Sequence, residues 1–176
     1  MRRIAKFEKV SFEQFKEAMI STYPETMGKV NNKYLEVLYE DIKLPKRATK
    51  GSAGYDFFLP FMEINMNPGK TYKIPTGIRV KIKKGWVLQC YPKSGLGFKY
   101  RLQLDNTVGI IDSDYYYSDN EGHIFAKITN DTNEEDNNIH LNLGDGFMQG
   151  IFVKYGITKD DKTFSIRNGG FGSTGK

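Results

Sequence analysis

The stretch from residue 104 to residue 122, LDNTVGIIDSDYYYSDNEG, decides how the rest of the chain is interpreted. Its apolar beginning, its Asn, Asp and Gly turn residues and the apolar run HIFAKIT that follows predict a β-hairpin. Asp112 and Asp114 interrupt the first strand where it leaves the core, and Tyr115 follows directly. A carboxylate there would be ionised near neutral pH and could accept a proton from water, although on this stretch alone a turn-shaping role for both Asp residues is the simpler interpretation.

Length and composition favour one β-rich domain. The chain has 176 residues, enough for one sizeable core, and contains 18 Gly, 11 Tyr and 12 Phe with frequent turn signals. A net charge of +5 suits either nucleic acid or a small polyphosphate. No block of Lys or Arg is interleaved with aromatic residues, so we expect no stable nucleic acid binding.

Cysteine usage and the N-terminal sequence indicate the compartment. The single Cys90 excludes an internal disulfide and fits a reducing environment. In the run WVLQCYP it alternates with Trp86 and Leu88, which predicts a buried strand thiol rather than a nucleophile. The N terminus lacks the apolar run of a signal peptide, and no segment is long enough to span a membrane. We therefore expect a cytoplasmic protein that binds no membrane.

Local patterns divide the chain into three parts. Val10 and Ser11, with Gln14 and Phe15 after them, form a hydrophobic staple and capping box that predict one N-terminal α-helix. The predicted parts are a helical extension and linker (1–33), a β domain (34–166) and a flexible glycine-rich tail (167–176). The predicted strands are 34–39, 53–58, 71–83, 86–92, 104–111, 122–130, 139–143 and 147–156.

Two further segments carry groups that bind anions. Residues 92–97, PKSGLG, follow a predicted strand and present the Lys93 ammonium, a Ser hydroxyl and backbone N–H groups. The tail, RNGGFGSTGK, offers Arg167 as a fork for phosphate oxygens and Phe171 as a lid for a flat base. Alone, the first segment is a weak signal, and a disordered, soluble tail is the simpler interpretation of the second. Together with the carboxylate at the hairpin they favour a polyphosphate-binding site.

Five short segments form a pattern that is more specific than any one of them. They are 53–56 (AGYD), 92–96 (PKSGL), 106–115 (NTVGIIDSDY), 144–145 (GD) with Gln149, and 170–175 (GFGSTG). In this order and at this spacing they resemble the motifs of the trimeric dUTPases. The resemblance runs from Leu44 to the C terminus and leaves the first 33 residues outside it.

The resemblance implies a fold, an assembly and a reaction. We expect an all-β, jelly-roll-like β-barrel or sandwich, and a homotrimer whose active sites are shared between subunits. The implied reaction is hydrolysis of dUTP to dUMP and pyrophosphate by in-line attack of water on the α-phosphate, with Mg2+ on the triphosphate. Such an activity limits uracil in DNA and supplies dUMP for thymidylate synthesis.

The resemblance also implies a role for each matching residue. Asp112 would be the base, Tyr115 would lie under the deoxyribose, and Asn106 with the hairpin backbone at Gly109 would read uracil. Asp56 would act through metal-bound water, with no direct protein ligand to Mg2+. The residues expected to hold phosphates are Lys93, Ser94, Gly95 and Gln149. Those expected to close over the substrate from another subunit are Arg167, Phe171, Gly172, Ser173 and Thr174.

The sequence departs from the family pattern in four places. Lys93 and Gly146 each replace an Arg, so a bidentate phosphate contact becomes a point charge and one cation is missing. Arg167 is one residue closer to the Phe of the tail than is usual, and 116–121 lengthens the hairpin tip. None of these changes affects Asp112, Tyr115 or Asn106.

Two other functions fit parts of the sequence. A dCTP deaminase shares this fold but carries a glutamate on the strand after the hairpin, where this chain has Lys127. A lysine cannot begin as the carboxylate base, so deamination is disfavoured. The second alternative is a non-catalytic protein that senses nucleotides, with the N-terminal helix and the long hairpin tip as candidate partner surfaces.

Overall fold

A computed structural model describes residues 2–165, 167 and 168. Within them lie three α-helices and eleven β-strands, and every strand pairing is antiparallel, which confirms the predicted all-β class. The helices are α1 (Phe12–Thr22), α2 (Asn32–Glu40) and α3 (Ser94–Tyr100). The strands are β1 (Ala5–Lys9), β2 (Tyr55–Phe58), β3 (Ile64–Met66), β4 (Thr71–Pro75), β5 (Ile78–Ile82), β6 (Trp86–Pro92), β7 (Leu102–Leu104), β8 (Gly109–Ile111), β9 (Phe125–Asn130), β10 (Ile139–Leu141) and β11 (Gly146–Lys154).

Strand β11 lies inside the largest sheet, which has the order β2-β11-β6-β8. A three-stranded sheet has the order β4-β9-β7, and two pairs, β1-β5 and β10-β3, complete the described strands. Phe57, Leu88 and Phe147, one from each of β2, β6 and β11, are at most 1% exposed. Their burial places the core against one face of the largest sheet, whose edge strand β8 ends at Ile111, directly before Asp112.

The start of α1 agrees with the sequence prediction. The Ser11 hydroxyl accepts a hydrogen bond from the Gln14 N–H at 3.2 Å, so Ser11 is the N-cap. Phe15 and Met19 are fully buried, and they fix the helix on the β domain.

The predicted strand at 34–39 is wrong: these residues belong to α2, so the N-terminal region contains two helices rather than one. Asn31 caps this helix by accepting the Tyr34 N–H at 2.9 Å. Leu35 and Leu38 are its buried residues, at a helical rather than an alternating spacing. The aromatic and β-branched residues of this segment favour a strand, and the cap with the helical apolar face overrides that preference. The division into 1–33, 34–166 and 167–176 stays a prediction, and α2 spans its first boundary.

Two predicted strands are each broken in two. The predicted strand 71–83 changes sheet at Gly77: β4 before it pairs with β9, and β5 after it pairs with β1. The predicted strand 104–111 is interrupted by a turn in which Thr107 has a φ of 65°. Of its two halves, β7 pairs with β9 but β8 pairs with β6, so the predicted hairpin is only partly correct.

Smaller differences concern the short strands. Strands β1 and β3 are absent from the sequence prediction, whereas β6 has the predicted bounds of 86–92. Among the described residues no helix combines the length and the apolar character needed to cross a bilayer.

We expect Gly77→Ala to lower the free energy of unfolding by about 3 kcal/mol, against about 1 kcal/mol for the control Gly69→Ala. Both glycines have a positive φ, 70° and 76°, so both variants carry the same backbone strain. Only at Gly77 would the new Cβ also meet side chains: it would overlap Ile42 Cδ1 and lie 3.3 Å from Phe15 Cδ2. Urea denaturation measures both values. Equal losses of stability would show that the packing of Ile42 and Phe15 does not require glycine at position 77.

Candidate active site

Asp112 lies at the end of β8, and its side chain is 42% exposed. Arg167 Nη2 donates to Asp112 Oδ2 at 2.5 Å, and Arg167 Nε donates to Asp114 Oδ1 at 3.1 Å. Burial raises the pKa of Asp112 above its usual value, the Arg167 charge opposes the rise, and Asp114 adds to it. A reachable carboxylate with a raised pKa is suited to take a proton from water.

A pocket of about 290 Å³ opens beside β8. It is lined by four of the residues that the sequence predicts to bind substrate: Asn106, Gly109, Tyr115 and Arg167. Most of its remaining wall is apolar, which suits a flat ring that is oriented by a few polar groups. The structure therefore brings Arg167 to the 106–115 stretch that supplies the other three residues.

Tyr115 is held in a single position. The residue is 3% exposed, its hydroxyl donates to the His123 carbonyl oxygen at 2.6 Å, and Asn120 Nδ2 donates to that hydroxyl at 2.8 Å. Burial raises the pKa of Tyr115, so the ring stays neutral. Sequence reasoning misses the supporting roles of Asn120 and His123, and a turn-forming Asn so close to the tyrosine is the one available signal.

Gly109 keeps the floor of the pocket open. A Cβ at this position would lie 3.1 Å from Cys90 Cβ and 3.8 Å from Asn106 Nδ2. Cys90 is 2% exposed, and burial raises the pKa of its thiol to about 12. The prediction of a buried strand thiol is confirmed, and at neutral pH the thiol carries no charge.

Lys93 and Gly146, two departures from the family pattern, lie next to each other. Lys93 Nζ is 3.1 Å from Asp56 Oδ2, and a Cβ added to Gly146 would lie 2.8 Å from that ammonium. The missing side chain at 146 thus provides the space in which Lys93 reaches Asp56. One lysine supplies the positive charge at a place where the pattern leads us to expect two arginines.

Gln149 lies next to this ion pair. Its backbone is in register with Asp56 across β2 and β11, and its Nε2 donates to the Pro92 carbonyl oxygen at 3.3 Å. A Cβ on Gly54 would lie 2.7 Å from Gln149 Oε1, so glycine leaves room for the amide. Gln149 is therefore positioned beside the segment that carries Lys93.

Ser94 and Gly95 form the first turn of α3. Lys93 is the N-cap and makes no side-chain capping bond. The first N–H groups of a helix have no carbonyl partner within it, so this turn presents donors to solvent or to a ligand. Lys93 and Ser94 border a surface cavity on this side of the molecule.

The predicted site residues of one chain thus lie around separate cavities. Asp112 borders a second cavity, which also contains Asp114 and Tyr117. Arg167 borders this cavity as well as the pocket beside β8, so the two adjoin at its side chain. The predicted tail residues lie outside the described residues; they are Phe171, Gly172, Ser173 and Thr174.

Comparisons with known proteins give the family. The family model of dUTPase matches residues 40–175. The deoxyuridine 5'-triphosphate nucleotidohydrolase of Lactococcus lactis is 40% identical over 137 residues, which is 76% of this chain and 89% of that protein. The crystal structure of dUTPase from Streptococcus mutans superposes with a TM-score of 0.60 and 29% identity, covering 87% of this chain and 98% of that one.

A mutant dUTPase from phage phi11 of S. aureus, whose structure describes the coordination of a structural Mg(II) ion, has the same fold at 21% identity and a TM-score of 0.57. That alignment covers 72% of this chain and 92% of the phage chain. The fold and these matches are those of a nucleotide-hydrolysing β-protein. The chain belongs to the dUTPase family, as its motifs predict.

We expect Lys93 and Asp56 to be coupled by about 1 kcal/mol in a double-mutant cycle of Lys93→Met and Asp56→Asn. The pair is partly buried, with side-chain exposures of 39% and 18%, so solvent screens it incompletely. The exposed pair Lys29 and Glu25 is the control, with an expected coupling of about 0.3 kcal/mol. Free energies of unfolding measure both couplings. Equal values would show that the Lys93–Asp56 ion pair is no stronger than an exposed one.

Proposed function

We propose that this chain hydrolyses dUTP to dUMP and pyrophosphate, with Asp112 as the base that activates the attacking water. Family membership supports the overall reaction. The observation that carries the mechanism is that Asp112, with its raised pKa, lies next to the pocket lined by Asn106 and Tyr115. Water adds to the α-phosphorus, its proton goes to the Asp112 carboxylate, and the bond to the bridging oxygen breaks to release pyrophosphate.

The nucleobase of the substrate is selected by hydrogen bonds of fixed polarity. Uracil has an acceptor at O4 and a donor at N3, and cytosine has the reverse arrangement. Asn106 and Gly109 line the pocket, and the backbone there can match one of these patterns only. A mismatched base would leave buried donors or acceptors without partners, which is the costly kind of mismatch.

The sugar is selected by shape. Tyr115 lines the pocket, and two hydrogen bonds prevent its ring from moving aside. We assign it to the face of the deoxyribose, where a rigid ring leaves no room for a 2′-hydroxyl. The apolar wall completes a site for a nucleoside without additional charges.

The triphosphate binds at the basic and donor groups. Lys93, Ser94, Gly95 and Gln149 form the proposed phosphate contacts, and phosphoryl transfer depends mostly on such positioning and charge neutralisation. Lys93 must share its charge between Asp56 and a phosphate, because its ammonium lies 3.1 Å from the Asp56 carboxylate in the structure.

Mg2+ is the proposed cofactor. The triphosphate oxygens would supply its direct ligands, since Mg2+ is usually bound through substrate phosphates and only one or two carboxylates. Asp56, partly buried in β2, fits a contact through metal-bound water. When bound, the ion would neutralise charge on the phosphates.

A homotrimer in the cytoplasm is part of the proposal. The proposed substrate-binding residues of one chain surround separate cavities, and a shared site would bring Asp112 of one subunit close to phosphate contacts of another. The buried free thiol of Cys90 agrees with a reducing compartment. The tail of a neighbouring subunit would then close the site.

Deamination of dCTP is the weaker alternative. Lys127, at the position where that family has a glutamate, lies 2.9 Å from Asp105 and forms an ion pair with it. A lysine cannot take the place of the carboxylate that moves protons in that family. Release of ammonia from dCTP by the purified protein would reverse this conclusion.

We expect Asp112→Asn to lower kcat for pyrophosphate release from dUTP by about 10²- to 10⁴-fold, because the amide cannot accept the proton from water. Binding of a dUTP analogue with a non-hydrolysable α,β bridge should persist, since Asp112 does not line the nucleoside pocket. Asp119→Asn, on the same loop, is the control and should keep its rate. A fully active Asp112→Asn protein would refute the assignment of the base.

We expect Arg167→Met to move the acidic limb of the pH profile of kcat/KM to higher pH. Arg167 lowers the pKa of Asp112, so its loss raises that pKa, and the base becomes ionised only at higher pH. The rate falls as pH drops through the pKa of the base, so the variant loses activity earlier on acidification. Arg101→Met removes a similar ion pair, with Asp131, and should leave the limb in place. The pH profiles of the three proteins decide this point.

A further inference from the structure

The 112–122 loop is tied to the N-terminal segment at two places. Strand β1, which precedes the part of the chain matched by the family model, carries Glu8, and Tyr116 donates its hydroxyl proton to Glu8 Oε2 at 2.5 Å. Ser11, the N-cap of α1, donates to Glu121 with its backbone N–H at 2.7 Å and with its hydroxyl at 2.5 Å. We call these three hydrogen bonds the N-terminal clamp.

The Ser11 hydroxyl does two things in this clamp. It accepts the Gln14 N–H that begins α1, and it donates its own proton to Glu121. Burial would raise the pKa of Glu121, but the Ser11 bonds and the charge of Arg79 outweigh it and hold that pKa below its usual value. Glu121 therefore stays ionised at neutral pH and remains an acceptor for both donors.

Arg79 joins the two halves of the clamp. It lies opposite Glu8 in the β1–β5 pairing, and its guanidinium nitrogens are 3.8 Å from carboxylate oxygens of both Glu8 and Glu121. Its guanidinium carbon lies 4.6 Å from the centre of the Tyr116 ring. One cation thus holds two carboxylates and an aromatic ring that come from the N-terminal strand and from the loop.

The loop transmits this restraint to the site residues. The Tyr115 N–H donates to the Asp112 carbonyl oxygen at 3.2 Å, and the Ser118 N–H donates to the Tyr115 carbonyl oxygen at 3.0 Å. Gly122 has a φ of 70°, and a Cβ there would lie 2.7 Å from the Tyr115 carbonyl oxygen, so the loop closes tightly on itself. A shift at either clamped residue would therefore displace Tyr115 and Asp112.

We propose that the N-terminal clamp positions the 112–122 loop, so that Ser11 and Glu121 are positioning residues for the Asp112 base and the Tyr115 ring. This proposal rests on the proposed function for its effect on rate. The segment before the family-matched region then has a catalytic purpose besides covering apolar surface. A displacement of about 1 Å at a reacting group is enough to lower a rate about 10²-fold.

Ser11→Asp and Glu121→Gln test the proposal. Aspartate still caps a helix, so Ser11→Asp keeps α1 while it removes the hydroxyl donor and places a second carboxylate against Glu121. We expect each variant to lower kcat on dUTP about tenfold or more, with KM changed less than about threefold. Ser11→Thr, which keeps both the cap and the donor, should retain the wild-type kcat.

The matched control is Asn31→Ala. Asn31 caps α2 as Ser11 caps α1, but its side chain bonds only within its own helix among the described residues, so its loss should cost about 1 kcal/mol of stability and leave kcat unchanged. Thermal denaturation measures the stability of all four variants. A loss of kcat that follows stability alone, Asn31→Ala included, would overturn the proposal.

Amide hydrogen exchange provides a readout that does not depend on turnover. We expect faster exchange within 112–122 in Ser11→Asp and Glu121→Gln, and unchanged exchange there in Asn31→Ala. Wild-type exchange rates in the loop of both clamp variants would overturn the proposal. If instead the wild-type protein released no pyrophosphate from dUTP, the proposed function would be wrong, and hydrogen exchange would still decide whether the clamp orders the loop.

Discussion

Three backbone pairs between β8 and β6 determine where the proposed base lies. Gly109 pairs with Cys90 and Ile111 pairs with Leu88, so β8 ends directly before Asp112. A slip of one residue would turn the side chains of β8 to the opposite face and would bury Ile110, which is half exposed, in place of Ile111. The apolar contacts of Ile111 and Leu88 therefore fix the register and, through it, the position of the carboxylate.

Arg167 and Lys93, two cations among the predicted site residues, are both paired with carboxylates. Arg167 is shared between Asp112 and Asp114, and Lys93 is paired with Asp56. On binding, the phosphate oxygens of a triphosphate would replace these carboxylates as the partners of the two cations. Neither cation would be unpaired before the substrate binds. Such an exchange costs less desolvation than the burial of unpaired charges, and it allows the carboxylates to act on water or on a hydrated metal.

The local features of the fold can be predicted from the sequence, but few of its long-range contacts can. The cap at Ser11, the strand 86–92 and the position of Asp112 at a strand end all follow from neighbouring residues, and the structure has each of them. The helix at 32–40 is missed because its aromatic content favours a strand. No pattern within a short window could link Ser11 to Glu121, because these residues lie far apart in the chain and meet only in the folded protein.

The pairing of β1 with β5 also protects an edge. Ala5–Lys9 occupies the hydrogen-bonding groups of Ile78–Ile82, and β1 is the only partner of β5 among the described strands. A chain shortened to the family-matched region would expose those groups, and an unpaired edge is a template for addition of a strand from another molecule. The N-terminal residues therefore keep this edge from pairing with a strand of another molecule.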